Sequence, residues 1–124
     1  MDINTINVIT LAYLGDAIYE AYIRENLIKQ GIAKVEELQK VATKYVSAKG
    51  QAKILTDLLE NNILTLEEIE IVKRGRNYKR SSHPKHTDII TYKLSTGFET
   101  LIGHLYLSKN INRLEEILKS IEVK

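Results

Sequence analysis

The chain has 124 residues, 44% of them apolar and 27% charged, the balance of one folded domain rather than a disordered polymer. It has no cysteine, which excludes disulfides and thiolate chemistry and fits a reducing compartment. The net charge of +2 is unevenly placed: "KRGRNYKRSSHPKH", residues 73 to 86, holds six Lys or Arg and no acid, leaving the rest at a net −4.

Nearly every segment shows helical period and none alternates like a strand, so an all-α fold of about six or seven helices is expected. The first helix should cover about residues 4 to 29 and stop at Gly31. A second follows in "KVEELQKVATKYV", with Val35, Leu38, Val41, Ala42 and Tyr45 on one face. Ser47 can cap a third, "AKGQAKILTDLLENN". "TLEEIEIVKRG" opens on a capping box, Thr65 with Glu68, and should stop at Gly75. Asn77 to His86 reads as a polar, basic loop with the single proline. "TDIITYKL" reads as a short helix and "STGFETLIGHLYLSK" as a separate strong one. Asn110 or Asn112 opens the last helix, with Leu114, Ile117, Leu118 and Ile121 on its apolar face. No basic-then-apolar leader opens the chain and no apolar run approaches bilayer length, so a cytoplasmic protein making no membrane contact is expected.

Two acids stand out. "LAYLGDAIYE" places Gly15 and Asp16, both poor helix formers, in the middle of an apolar helix. Asp16 shares a face with Ile9 and Ala12, and two explanations stand level: a cap where the helix breaks at Gly15, or a functional acid. The adjacent glycine, which lets a partner backbone or ligand approach, favours function slightly. Glu99 has a stronger bland explanation, because Thr96 and Glu99 carry capping-box spacing at the start of the strong helix.

The basic segment suits a polyanion. Lys73, Arg74, Arg76, Lys79, Arg80 and Lys85 supply phosphate contacts, and Asn77 and Tyr78 can bond sugar or backbone. Lys49, Lys53, His83 and His86 are weaker candidates for the same surface. His83 and His86 lack the cysteines or helix that would set ligand geometry, so they are read as polar contacts rather than a metal site. His104 reads as a packed histidine or a subunit contact.

Taken together, "LAYLGDAIYE" and "STGFETLIGHLYL" resemble the two signature helices of the ribonuclease III family: a Leu-Gly-Asp inside one helix, and a Phe-Glu-Ala-Leu-Ile-Gly followed by an aromatic and Leu in the other. The length, the missing double-stranded-RNA-binding domain, and the segments "YVSAKGQA" and "KRGRN" resemble the Mini-ribonuclease III branch. The resemblance implies a two-fold homodimeric, all-helical endonuclease that hydrolyses phosphodiester bonds in double-stranded RNA. It implies a magnesium cofactor, with manganese an alternative, 5′-phosphate and 3′-hydroxyl ends, and maturation of the 23S (large-subunit) ribosomal RNA precursor, with a ribosomal protein as a possible helper. It assigns Asp16 and Glu99 as catalytic and metal-holding residues. Ile9, Ala12 and Thr96 stand where longer family members carry further acids, a reduced pattern that the Mini branch shares.

Two acids are a sufficient minimum for magnesium, which binds one or two protein carboxylates and keeps several waters. One site cuts one strand, so a two-fold dimer would supply the second. Tyr13, Tyr19, Tyr22, Phe98 and Tyr106 are candidate interface residues, with core packing the competing fate of each. The main competing function is a non-catalytic helical module that binds RNA or DNA, which would give Asp16 and Glu99 no reason to meet; a small helical interaction protein is a third, and the clustered charge opposes it.

Overall fold

The structure, a computed structural model, describes residues 1–79 and 87–123. Arg80, His83, Lys85 and His86 therefore lie outside the described residues. The elements are a short 3₁₀ turn at Ile3–Thr5, then α1 (Val8–Lys29), α2 (Val35–Val46), α3 (Ala48–Glu60), α4 (Leu66–Arg76), α5 (Ile89–Leu107) and α6 (Ile111–Lys119). The expected all-α class holds, with no strand among the described residues. No helix of those residues is long and apolar enough to cross a membrane.

Local chemistry explains most boundaries. The first helix starts later than expected: the Asp2 side chain caps the 3₁₀ turn, and Asn7 accepts from the Ile9 amide to begin α1 at Val8. Past the end of α1, Gly31 takes a φ of 100°, a conformation glycine adopts without steric cost. Ser47 caps α3 by accepting from the Gly50 amide, as expected. Thr65 and Glu68 make both bonds of a capping box at the start of α4.

Two expectations fail for the same reason. α4 passes through Gly75 to Arg76, because Gly75 is buried against α5, where a Cβ would lie 2.3 Å from the Thr100 hydroxyl. The two helices expected between residues 87 and 109 are one, α5, capped by the Asp88 carboxylate on the Thr91 amide. Ser95, Thr96, Gly97 and Phe98 are all buried within it, so packing overrides their weak helix propensity. The Thr96 and Thr100 hydroxyls donate to the carbonyls of Tyr92 and Thr96 at 3.0 and 2.7 Å, which lets polar side chains lie in a core.

α5 packs against α1, α3, α4 and α6, while α2 packs on α1 and α3. A helix surrounded in this way needs apolar or self-satisfied side chains on every face. The core joins Tyr19, Ile23 and Leu27 of α1 to Leu55 and Leu58 of α3, to Phe98, Leu101 and Ile102 of α5, and to Leu114, Ile117 and Leu118 of α6. Tyr19 and Phe98 meet edge to face with centroids 4.9 Å apart, a geometry worth about 1 kcal/mol beyond area burial. Burial raises the Tyr19 phenol well above its usual pKa, so it stays a donor, and it bonds the Tyr45 carbonyl of α2 at 3.0 Å. Tyr19 and Phe98 thus have the core fate, whereas Tyr13 and Tyr106 are exposed.

Candidate active site

α1 and α5 cross at two glycines. A Cβ built on Gly15 would lie 1.9 Å from the Glu99 carbonyl oxygen, and one on Gly103 would lie 2.0 Å from that of Leu11. No side chain fits at either position, so the two backbones touch there, and Asp16, one residue on, is carried to Glu99. α1 runs unbroken through Gly15, which removes the capping explanation for Asp16. Glu99 loses its bland explanation too. The helix begins at Ile89, Thr96 bonds to the carbonyl one turn back, and no capping box exists at Thr96 and Glu99.

A third side chain joins the acids. The Gln51 Nε2 of α3 lies 3.3 Å from Asp16 Oδ1, 3.3 Å from Glu99 Oε2 and 3.3 Å from the Val46 carbonyl. Its Oε1 accepts from the Ser95 hydroxyl at 2.7 Å. Reasoning from sequence passed over Gln51. The available signal was a polar residue on the helix face that also carries Leu55 and Leu58, a position where burial demands partners.

Asp16 and Glu99 are half-buried, each held by the fold on one side and open to water on the other. The described residues contain no cluster of three or more His, Cys, Asp or Glu that could hold a metal. Ala12 is buried and Thr96 is bonded to its own helix, so neither substitutes for the extra acids of the longer family pattern. Two convergent carboxylates with open sides match a hard cation that keeps most of its waters, and magnesium or manganese fits this oxygen-only set. The nearby Glu20 is instead paired with Arg24 at 3.4 Å.

The described basic residues lie on other faces of the fold than these acids. Val72, Gly75 and Arg76 of α4 pack at Gly97 and Thr100 of α5, roughly 100° to 160° around that helix from Ser95 and Glu99. Lys73, Arg74, Asn77, Tyr78 and Lys79 are exposed at the end of α4 and beyond it. Lys73 pairs with Glu70 at 3.6 Å, and Arg76 donates to the Asn77 side chain at 3.2 Å. Lys49 and Lys53 are exposed on α3, two residues either side of Gln51 and so on its opposite face, and Lys53 pairs with Asp57. The fold therefore does not bring those two lysines to the acids. His104 is half-buried: burial lowers its pKa, with Arg74 adding to the effect, and its Nδ1 has no bond among the described residues.

Residues 9–110 match the ribonuclease III domain family. The chain is 48% identical over 118 residues to the Mini-ribonuclease 3 of Streptococcus pneumoniae, covering 95% of this chain and 92% of that one. It is 46% identical over 117 residues to the Mini-ribonuclease 3 of Enterococcus faecalis, covering 94% and 89%. The fold superposes on the crystal structure of protein FN1578 from Fusobacterium nucleatum with a TM-score of 0.82 at 33% identity, over 95% of this chain and 93% of that one. With paired acids on crossing signature helices and relatives this similar along nearly their whole length, the chain belongs to the ribonuclease III family and, within it, to the Mini-ribonuclease 3 group.

Proposed function

We propose that this chain is a divalent-metal-dependent endoribonuclease that cuts double-stranded RNA, with Asp16 and Glu99 as the carboxylates that hold the ion. One observation carries the assignment: acids 83 positions apart in sequence share a single buried amide donor, Gln51, across three helices. Membership of the ribonuclease III family supports the substrate and the reaction class. The preferred ion is magnesium, with manganese able to replace it.

When bound, the ion supplies positive charge against the phosphoryl oxygens and makes an in-line water more acidic. The chain supplies the rest. Asp16 and Glu99 fix the position of that charge, while the α1–α5 crossing holds them rigid. The basic end of α4 and the residues after it, Lys73 to Lys85, grip the duplex backbone, which proteins read through shape, phosphates and 2′-hydroxyls. In-line attack by water with the 3′-oxygen as leaving group gives 5′-phosphate and 3′-hydroxyl ends. The reading extends to a single-domain cytoplasmic enzyme acting as a two-fold homodimer, one site for each strand, on the 23S ribosomal RNA precursor, with a ribosomal protein as a possible partner.

The test is cleavage of a long RNA duplex with and without magnesium by wild type, Asp16→Asn and Glu99→Gln, with binding measured in parallel. Cutting by wild type in magnesium should fall at least about 100-fold in each variant while duplex binding persists. Binding without cutting under any divalent ion would overturn the enzyme assignment and leave a helical nucleic-acid-binding module.

A further inference from the structure

Gln51 is a buried polar side chain, 1% exposed, at the meeting point of three helices. Its orientation follows from chemistry. Turned the other way, Oε1 would face two carboxylates and a carbonyl, with no donor among them. The hydroxyl of Ser95, itself buried, donates to Oε1 and so directs the NH2 toward the acids. Two N–H bonds then serve three acceptors, each at 3.3 Å. That is long for a full hydrogen bond, so the amide spans the acids rather than pairing with one.

We propose that Gln51 is a positioning residue that sets the gap between the Asp16 and Glu99 carboxylates for a divalent cation. This rests on reading those two acids as the metal-holding pair. A neutral donor suits the place better than a charged one. A lysine there would neutralise the acids and compete with the cation, whereas a third carboxylate would drive the acids apart whenever no cation is bound. The amide relieves repulsion between the two charges and leaves both available. Ser95 keeps the amide from turning over, and the Val46 carbonyl ties it to the end of α2.

The experiment measures Mn2+ affinity without RNA, from the electron paramagnetic resonance signal of the free ion, on the full chain. Wild type is compared with Gln51→Leu, Gln51→Glu, Ser95→Ala and Asp16→Asn, with folding checked by circular dichroism. Gln51→Leu should weaken binding by about 10-fold or more, as loss of groups that orient metal ligands does, and Ser95→Ala should weaken it less. Gln51→Glu should tighten it, because the ion then relieves three-way repulsion. A purely structural role would shift unfolding midpoints and leave the affinity of the folded protein unchanged. Wild-type affinity in Gln51→Leu and Ser95→Ala, with binding lost in Asp16→Asn, would overturn the role of Gln51 and keep that of the acids. Wild-type affinity in Asp16→Asn would overturn the assignment of the acids, and this proposal with it. Should Gln51→Leu fail to fold, Ser95→Ala and Gln51→Glu decide: unchanged affinity in both overturns the proposal.

Discussion

Gly15 and Asp16 work as a pair: the first removes every atom that would hold α5 away, and the second uses the closeness. The glycine costs about 1 kcal/mol of helix propensity relative to alanine. Gly15→Ala regains that amount and still should lose, because its methyl would meet the Glu99 backbone oxygen at 1.9 Å, and a backbone cannot swing aside. We expect a net loss of about 2 kcal/mol in urea unfolding and a parallel loss of Mn2+ affinity as Asp16 moves. An unchanged unfolding midpoint would show that the crossing has slack. Asp16 was legible in the sequence because an acid and a glycine interrupt an apolar helix. Glu99 was legible only through its family motif, since its local pattern imitates a cap. Caps depend on where a helix begins, and Asp88 begins this one well upstream. Gln51 was legible as a polar position on the face of Leu55 and Leu58, but its partners were not, because neither its spacing nor its neighbours in sequence point to residues 16 and 99.

Among the elements, α4 and α6 are joined by one side chain. Arg113 of α6 reaches Glu68 of α4 with Nε and Nη2, each at 2.7 Å, a two-pronged pair in which both groups are largely buried. Its Nη2 also donates to the Ile63 carbonyl at 2.7 Å, and Glu116 pairs with the same guanidinium. The hydrogen bond from Arg113 holds the Glu68 carboxyl below its ordinary range, aided by Thr65 and opposed by burial. A depressed folded pKa means that the ionised carboxylate contributes stability above its unfolded value of about 4.3, and that this is lost as pH falls through the folded value. Arg113→Ala strands a buried charge and should cost about 3 kcal/mol at neutral pH. It should also flatten the decline in stability below about pH 4, read from urea unfolding across a pH series. An equal loss at every pH would assign the effect to packing rather than to this ion pair.

For the whole molecule, an acidic body with one basic segment predicts binding dominated by phosphate contacts near the end of α4. Affinity for an RNA duplex should fall steeply with salt, and alanine at Arg76 and Arg80 together should weaken binding and lower the slope of log affinity against log salt by about 1 to 2. Alanine at Lys49 and Lys53, on the opposite face of α3 from Gln51, is the comparison pair. An unchanged slope in the Arg76 and Arg80 variant would remove this segment from the RNA surface.

The helices, their apolar faces and most of their caps were determined by the sequence itself, because each depends on residues within one or two turns. Ser47, Thr65 with Glu68, and the face of Leu114, Ile117 and Leu118 are such local signals. Only the tertiary structure decided that residues 89 to 107 form one helix, that Gly75 lies inside a helix, and that Gln51 joins the two acids. Those outcomes depend on which surfaces meet. Burial against α1, α3 and α4 outweighs the local helix-breaking tendency of Ser95, Thr96 and Gly97. An amide finds its partners only when three helices, distant in the chain, close around it.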